Sequence, residues 1–303
     1  MNERDWLAER FEADRTHLRG VAYRMLGSLS DADDAMQEAW LRSSRADARE
    51  VENLTGWLTT IVSRVALDML RSRDSRREEV LDAQSVDAAL RDQSTLHDAA
   101  PGDPEGEAIM ADAVGLALLV VLNTLDPPER LAFVLHDMFA LPFEEIASIV
   151  GRSPAATRQL ASRARRRVRG GDAAAERGAD VASQREIVDK FVSALRAGDL
   201  NAVLTVLDPN VVVHADIVGT DGKMRGVREV RGAEIWAGQA IAFSRGKTAV
   251  QVALVDGSVG IILAPFGRLK SALKFTFRGG KIVEVDAVAD PERVARLEVA
   301  TLD

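Results

Sequence analysis

Residues 142–168, with the sequence PFEEIASIVGRSPAATRQLASRARRRV, contain the pattern that decides the fold of this part of the chain. A short helix with one apolar face ends at Gly151, and Ser153 followed by Pro154 is typical of the cap and first position of a second helix. Two helices joined by a glycine-containing turn form a helix-turn-helix, whose second helix enters the DNA major groove. The pattern therefore predicts a DNA-binding module.

The second helix of this motif is strongly basic, because residues 151–171 contain seven arginines and no acidic residue. Arginine can bond two atoms of guanine and glutamine two atoms of adenine, so side chains near the start of the helix can read bases. The arginines further along lie on several faces and suit phosphate contacts. A solvated helix end, favoured by the negative helix dipole, is the alternative for such a run. The predicted DNA contacts are Ser153, Ala155, Arg158, Gln159, Arg163, Arg165 and Arg166.

The chain as a whole is acidic, with a formal net charge of −8 over 303 residues. Residues 78–112 hold ten Asp or Glu and one Arg, so they alone carry −9 and the rest of the chain sums to +1. The acidity therefore belongs to one segment, which Pro and Gly residues interrupt and which we interpret as a linker. The basic helix does not contradict the net charge, because local patches decide which partners a protein attracts.

Composition excludes several kinds of site. The chain has no cysteine, which rules out disulfides, cysteine-ligated zinc and a catalytic thiol, and its four histidines are scattered. We therefore predict no metal and no cofactor. The N-terminus is charged where a signal peptide would be apolar, and no apolar run approaches the roughly 20 residues of a membrane span. These features predict a soluble cytoplasmic protein with no membrane partner.

Two further parts flank the motif and the acidic segment. Residues 5–77 predict helices, with Ser30 as a candidate N-cap and acidic residues in the turn that follows it. After residue 183 the pattern changes, because two helices precede a run of β-branched strands separated by Gly or Asp-Gly. Helices followed by a run of strands indicate a separate α+β domain.

These parts resemble a known family. The stretches DADDAMQEAWLR at 31–42, GWLTTIVSRVALDMLRSRDSRR at 56–77 and the whole of 125–168 carry the resemblance. Through them, residues 1–169 resemble the extracytoplasmic-function (ECF) sigma factors of bacterial RNA polymerase. Residues 183–298 resemble the SnoaL-like, NTF2-type domain. That fusion is typical of the SigJ-like or ECF41-like group, although the Trp-Leu-Pro motif usual in the linker of that group is absent here.

The resemblance implies a multidomain architecture. Two all-α sigma domains, region 2 and the helix-turn-helix region 4, precede a C-terminal α+β domain of NTF2/SnoaL type. The implied divisions are residues 1–77 for region 2, 78–107 for the acidic linker, 108–170 for region 4, 171–182 for a second linker and 183–303 for the SnoaL-like regulatory domain.

In the family, region 2 docks on the β′ clamp of core RNA polymerase. An acidic face with an aromatic neighbour suits a basic clamp. Favourable pairing of acidic residues with the helix N-terminus is an alternative reason for the same residues, and both can hold. The resemblance assigns the clamp contacts to Asp31, Asp33, Asp34, Gln37, Glu38 and Trp40.

Region 2 of the family also melts and reads the promoter −10 element, which implies basic groups along a single DNA strand. Trp57 is either a stacking platform for a base or the start of the apolar stripe of its helix. Region 4 reads the −35 element and meets the β flap. The acidic linker either threads polymerase channels or is a solvated tether. The assigned −10 contacts are Asn53, Arg64, Arg71, Arg73, Arg76 and Arg77.

The C-terminal domain raises the question of an enzyme. NTF2-type domains enclose a pocket, and His214 and Asp216 lie two residues apart on a strand, so both point the same way, as a pocket pair would. A His/Asp pair can do acid–base work, and a polar strand face is the alternative. The resemblance implies a built-in regulator that keeps regions 2 and 4 compact, so we predict no catalytic residues. A small ligand of unknown identity in the pocket is an open hypothesis.

The sequence therefore predicts an alternative sigma factor. It would bind core RNA polymerase and direct initiation at promoters with −10 and −35 elements, under the control of its C-terminal domain. Two alternatives stay open. One is a helix-turn-helix regulator fused to a small-molecule-binding or ketosteroid-isomerase-type domain, and the other is a dimeric repressor that binds duplex DNA without polymerase.

Overall fold

The computed structural model describes residues 3–48, 51–83, 115–171, 178–219, 222–245 and 249–302. The chain divides into two compact units: residues 1–110 with 124–165 form the first, and residues 111–123 with 166–303 form the second. Of the predicted acidic linker, residues 78–83 continue a helix, whereas residues 84–107 lie outside the described part of the chain. Most of the second predicted linker, residues 172–177, also lies outside it.

The N-terminal part of the first unit consists of four helices. The first two helices are separated by a turn at Asp14. The N-cap of the third helix is Ser28, whose Oγ accepts the amide N–H of Asp31 at 3.4 Å. The predicted cap at Ser30 is therefore wrong by two residues, since the helix already includes the buried Leu29. The helices are α1 (Glu3–Ala13), α2 (Arg15–Leu26), α3 (Leu29–Ser43) and α4 (Leu54–Ala83).

Packing of α2, α3 and α4 against one another buries the apolar stripe predicted for α4. Leu58, Val62 and Val65 are buried there, whereas Trp57 at the start of the stripe is only half-buried. Fully burying an aliphatic side chain contributes about 1.5–3 kcal/mol, so the stripe is a major source of stability for this helix. Within the described ranges, no helix is both long and apolar enough to cross a membrane.

The helix-turn-helix forms as predicted. Gly151 ends its first helix in the left-handed conformation, with φ of 74°, which glycine adopts without strain. Ser153 Oγ accepts the amide N–H of Ala156 at 3.2 Å and caps the second helix, with Pro154 at its first position. The helices in this part of the chain are α5 (Leu116–Thr124), α6 (Pro127–Phe133), α7 (Phe143–Val150) and α8 (Pro154–Val168), and a π-helical turn (Val134–Met138) follows α6.

The second unit is the predicted α+β domain. Three helices cover one face of a seven-stranded sheet with the order β2-β1-β6-β5-β4-β3-β7, in which β1 and β6 are parallel and the other neighbours are antiparallel. The helices are α9 (Gly178–Ala197), α10 (Leu200–Val206) and α11 (Ala233–Ser244). The strands are β1 (Leu207–Val218), β2 (Met224–Arg231), β3 (Val250–Val255), β4 (Ser258–Leu263), β5 (Ser271–Arg278), β6 (Lys281–Val288) and β7 (Val299–Ala300), and a short helix α12 (Pro291–Val294) follows β6.

The main core of the second unit lies between the sheet and these helices. Phe191 of α9 stacks on Trp236 of α11 with ring centres 5.3 Å apart, and Val211 and Val213 of β1 face the same interior. The domain therefore has the predicted NTF2/SnoaL-type arrangement of helices on one side of a sheet. Strand β2, at the sheet edge, is an element that the sequence pattern did not predict.

A second, smaller core lies on the opposite face of the sheet. Ala253, Ile262 and Ala272 project there from three neighbouring strands and pack against Ala117 and Val120 of α5. Helix α5 therefore belongs to the second unit, whereas the predicted region 4 at 108–170 grouped it with α6, α7 and α8.

Candidate nucleic-acid and polymerase interfaces

The first turns of α8 present exposed side chains, as a helix that reads DNA requires. The guanidinium of Arg158 lies 5.1 Å from the centre of the Phe143 ring, and this cation–π contact with α7 holds it beside the turn. Ser153 is exposed but uses its hydroxyl to cap the helix. The other predicted base-reading positions, Ala155 and Gln159, are exposed too.

Two of the later arginines of α8 pair with acidic residues of the same unit. Arg163 Nε lies 2.8 Å from Glu129 Oε1, and Arg165 Nε lies 2.5 Å from Asp137 Oδ1. These ion pairs tie α8 to α6 and to the π-helical turn, so they orient the helix as well as carrying charge. Arg166 is exposed. Arg163 stays exposed despite its ion pair. Helical spacing alone did not reveal which of these arginines have a carboxylate partner.

The predicted −10 contacts lie along α4. Asn53 Oδ1 accepts the amide N–H of Gly56 at 3.0 Å, so this side chain caps α4. Arg64 and Arg71 are exposed, whereas Arg73 Nη2 lies 2.5 Å from Asp31 Oδ1 of α3. The side chains of Arg76 and Arg77 lie outside the described part of the structure.

One face of α3 forms an exposed stripe of four residues, which we call the docking stripe: Asp34, Gln37, Glu38 and Leu41. Their spacing of three and four residues places them on one side of the helix. Leu41 keeps 47% of its surface exposed, although it is a large apolar side chain. Leu41 is not among the predicted clamp contacts, but its helical phase was a signal, because it lies out of phase with the buried positions Ala32, Ala35, Met36 and Ala39.

The other predicted clamp residues lie beside this stripe rather than on it. Asp33 accepts two hydrogen bonds from the guanidinium of Arg19, at 2.7 and 2.8 Å. Trp40 meets the ring of Phe11 edge-on, with centres 5.3 Å apart. Asp33 and Trp40, together with Gln37, line a cleft of about 600 Å³ between α3 and the first two helices. The structure thus brings Asp33, Gln37 and Trp40 together and pairs Asp31 separately with Arg73.

Comparisons with known proteins identify the family. Residues 11–76 match the family model described as Sigma-70 region 2, and residues 115–168 match the one described as Sigma-70, region 4. The ECF RNA polymerase sigma factor SigJ of Mycobacterium tuberculosis is 37% identical over 300 residues, covering 93% of this chain and 91% of that protein. This chain belongs to the ECF sigma factors.

One other relative and one solved structure extend over almost the whole chain. The probable ECF sigma factor SigI of Mycobacterium tuberculosis is 32% identical and covers 96% of both proteins. The crystal structure of SigJ from Mycobacterium tuberculosis has 33% identity, covers 95% of this chain and 98% of that one, and gives a TM-score of 0.41. The prediction of a sigma factor that acts with RNA polymerase in promoter-directed initiation is confirmed at the level of the family.

Region 2 and region 4 of this sigma factor touch within the first unit. Arg130 on α6 is buried, and its Nε donates a hydrogen bond at 3.0 Å to the main-chain oxygen of Arg24, in the last turn of α2. Phe139 lies edge-on to the ring of His17 at 5.1 Å and below the guanidinium of Arg24 at 5.3 Å. Burial, with repulsion from Arg73, lowers the pKa of Arg130 to about 9. This contact therefore buries a cation.

In the C-terminal domain of the sigma factor, His214 and Asp216 share one face of β1, as the sequence analysis predicted. That face is not the helix-covered one, because Val211 and Val213, which alternate with them, fill the main core. The predicted position of the pair in a pocket is therefore corrected. His214 is half-exposed, and its Nε2 lies 3.5 Å from Glu284 Oε1.

Asp216 is fully engaged inside the C-terminal domain. Its Oδ2 accepts the amide N–H groups of Ala289 and Asp290, at 2.9 and 3.0 Å, and its Oδ1 pairs with Arg293. Arg293 also bonds Asp286 at 2.7 Å. Burial raises the pKa of Asp216, but the two amides and the guanidinium outweigh it, so the pKa lies below its usual value. The carboxylate therefore fastens β1 to the chain that follows β6.

Proposed function

We propose that this sigma factor binds core RNA polymerase through the docking stripe on α3. The observation that carries this proposal is an exposed leucine, Leu41, on the same helix face as the carboxylates of Asp34 and Glu38. An apolar side chain within a charged rim is the composition of a protein–protein contact, where the apolar group is buried and the charges select the partner. Asp33, Trp40 and the cleft beside the stripe extend the same surface, and the β′ clamp is the proposed partner.

We propose that α8 reads the −35 element. Arg158 and Gln159 supply the base contacts, because they are exposed near the start of the helix and can each bond two atoms of a base edge. Arg166 contacts phosphate, whereas Arg163 and Arg165 position α8 through their carboxylate partners. The β flap meets the same region 4.

We propose that α4 contacts the −10 element. Arg64 and Arg71 are exposed on this helix and suit the backbone of a separated strand. The role of Asn53 is to hold the start of α4, since its side-chain oxygen already accepts the amide of Gly56. Trp57 near this end is half-buried, and we propose that it stacks on a base.

The proposed domain divisions follow the sequence analysis, with residues 1–77 as region 2, 108–170 as region 4 and 183–303 as the regulatory domain.

The proposed role of the C-terminal domain is regulation rather than catalysis. Its one candidate pair is unsuited to proton transfer, since Asp216 has a buried side chain committed to Arg293 and to two backbone amides. Action on promoters with core polymerase places the protein in the cytoplasm.

The contact between regions 2 and 4 supports a closed resting state. The −10 and −35 elements are separated by about 25 base pairs, or roughly 85 Å of DNA at 3.4 Å per base pair. Compact domains of this size are roughly 25–30 Å across, so two in contact reach only about 55 Å. The contact through Arg130 and Phe139 must therefore open before both elements are bound. Because the buried cation of Arg130 has few hydrogen-bond partners, separating regions 2 and 4 requires little free energy.

Run-off transcription with core polymerase on a promoter library tests the function. Full-length protein is expected to give a small set of start sites that share −35 and −10 sequences. A Phe139→Ala variant is expected to form open complexes faster, because it weakens the contact between regions 2 and 4, and Phe243→Ala, at an exposed position in the C-terminal domain, is the control. Start sites no different from those of core polymerase alone would refute the proposed function.

A further inference from the structure

A carboxylate lies within the basic face of α4. Asp68 is exposed, and the exposed Arg64 and Arg71 lie four residues before it and three residues after it. Side chains at these spacings are neighbours on one side of a helix. Asp68 therefore lies between the two arginines that we propose as contacts to the backbone of the −10 strand. A negative charge at this position repels phosphate, so the partner of Asp68 decides how strongly this face attracts DNA.

Asp68 pairs with another helix instead of with its neighbours on α4. Its Oδ2 accepts a hydrogen bond at 3.3 Å from Nη1 of Arg42, which lies on α3. Helical spacing would also allow an ion pair with Arg64 or with Arg71. Among the residues that the structure describes, neither of these two arginines pairs with a carboxylate. Both charges therefore stay available to another molecule.

A second carboxylate holds the guanidinium of Arg42 in place. Nε of Arg42 donates a hydrogen bond at 2.7 Å to Oε1 of Glu38, four residues earlier on α3. The rigid fork of the guanidinium lets one side chain bond two carboxylates at once. The hydrogen bonds to Glu38 and Asp68 raise the pKa of Arg42 above its ordinary value. Arg42 is therefore a fixed positive charge beside the basic face of α4.

Stability alone gives little reason for this bridge. The side chains of Glu38, Arg42 and Asp68 are all exposed, and exposed ion pairs contribute little to the free energy of unfolding. The consequence of the bridge is electrostatic, because it decides which cation the carboxylate of Asp68 occupies.

Arg73, further along α4, shows what pairing does to an arginine of this helix. Its Nη2 lies 2.5 Å from Oδ1 of Asp31 on α3. A phosphate that binds such an arginine must compete with the carboxylate, so the net gain is smaller than at an unpaired arginine. Without Arg42, Asp68 would occupy Arg64 or Arg71 in the same way.

From this arrangement we infer that Arg42 is a positioning residue of the −10 surface. By binding Asp68, it leaves Arg64 and Arg71 available to the phosphates of the separated strand. The inference rests on the proposed role of α4 at the −10 element, and it adds a residue of α3 to that surface.

The test uses Arg42→Gln in the full-length protein, bound to saturating core polymerase, with a promoter fragment whose −10 segment is unpaired. Asp68 is expected to turn to Arg64 or Arg71, so that one phosphate contact is lost. One contact to a single strand changes the slope of log affinity against log salt concentration by about 0.7, which corresponds to about fivefold in affinity near 0.1 M salt. Promoter affinity should therefore fall about fivefold, and the slope should decrease by about 0.7.

A second substitution separates this role from a merely structural one. Asp68→Asn, added to Arg42→Gln, should restore promoter affinity to within about twofold of the unaltered protein, because no carboxylate remains to occupy the arginines. If Arg42 acted only through Glu38 or through the stability of α3, removing the charge of Asp68 would restore nothing. The double-mutant cycle measures this coupling directly.

Arg185→Gln is the matched control. Arg185 on α9 is also exposed, and it pairs with Asp189, four residues along the helix, at 3.7 Å. Its loss removes the same charge and should change promoter affinity less than twofold. An equal loss in this control, no loss in Arg42→Gln, or a loss that Asp68→Asn does not restore overturns the inference. An unchanged salt slope when Arg64 and Arg71 are both replaced by glutamine would instead refute the proposed role of α4 itself.

Discussion

The docking stripe on α3 and the cluster around Asp216 on β1 both contain carboxylates, which are exposed in the stripe and buried in the Asp216 cluster. Asp34 and Glu38 are exposed on a helix face that includes an exposed leucine, and Glu38 also accepts a hydrogen bond from Arg42 Nε at 2.7 Å. Asp216 has a buried side chain held by two backbone amides and Arg293. The comparison shows that a carboxylate can serve another molecule only where the fold leaves it without a complete set of internal partners.

The largest effect is expected from placing a charge within the docking stripe. Leu41→Asp should lower affinity for core polymerase at least about 100-fold, because an unpaired carboxylate would be buried in the contact. Titration of labelled protein with core polymerase measures this loss. Leu200→Asp is the matched control, since Leu200 on α10 is 43% exposed and Leu41 is 47% exposed. Equal losses in both variants would remove the distinction between the two surfaces.

Neutralising the buried carboxylate tests the other side of the comparison. Asp216→Asn should destabilise the C-terminal domain by about 2 kcal/mol, because Arg293 loses its charged partner. Urea unfolding of the full-length protein, with hydrogen exchange to localise the change, measures it. His214→Gln, two residues away on the same face, should change stability by less than about 0.5 kcal/mol. A large loss in the His214 variant would show that this strand face works as a unit.

Acid should affect the same cluster. The pKa of Asp216 is lowered in the folded protein, so its contribution to stability is complete above the unfolded value of about 3.9. That contribution is lost as the pH falls through the folded pKa. Unfolding curves of the C-terminal domain below pH 5 should therefore show a loss of stability that is smaller in Asp216→Asn. Identical acid profiles for the two proteins would contradict this assignment.

Arg158→Ala should lower affinity for a selected promoter by about 10-fold, because a base contact of this kind contributes about 1–3 kcal/mol. The loss should depend on the sequence of the −35 element, which competition with single-base variants measures. Arg196→Ala, at an exposed arginine of the C-terminal domain, is the control. A loss of the same size on every DNA sequence would assign Arg158 to phosphate instead.

The smallest effect is expected at Arg166. Removing one phosphate contact should reduce the slope of log affinity against log salt concentration by about 1, with little change in sequence preference. Holoenzyme binding to the promoter at several salt concentrations gives the slope. An unchanged slope would show that exposure alone does not bring Arg166 to the DNA.

The fold could be predicted from the sequence wherever the hydrophobic periodicity of a segment and the residues at its ends indicate the same helix or strand. The pairing of Gly151 with Ser153–Pro154 predicted the helix-turn-helix, and the β-branched runs after residue 248 predicted strands β3 to β6. Strand β2 escaped because MRGVREVR, at the edge of the sheet, is mostly exposed and charged. Charged residues are a usual feature of edge strands, and they remove the apolar alternation that marks a strand.

The sequence predicted which types of residue form the candidate sites, but only partly how each side chain is placed and paired in the fold. Helical spacing placed Arg158 and Arg163 in one basic set. In the structure both are exposed, but Arg158 lies beside the ring of Phe143, whereas Arg163 pairs with Glu129. The partner of each arginine lies on another helix, so no local pattern could reveal it. Leu41 was detectable in principle from its helical phase, because a leucine outside the buried stripe must be exposed.

The sequence by itself determined the helices, the turn of the DNA-binding motif and the order of domains, because these depend on periods and caps within about ten residues. Only the tertiary structure decided which charges are available to a partner and that α5 packs on the C-terminal sheet. The physical reason is that burial and pairing join residues far apart in the chain, such as Ala117 and Gln251 or Asp216 and Arg293.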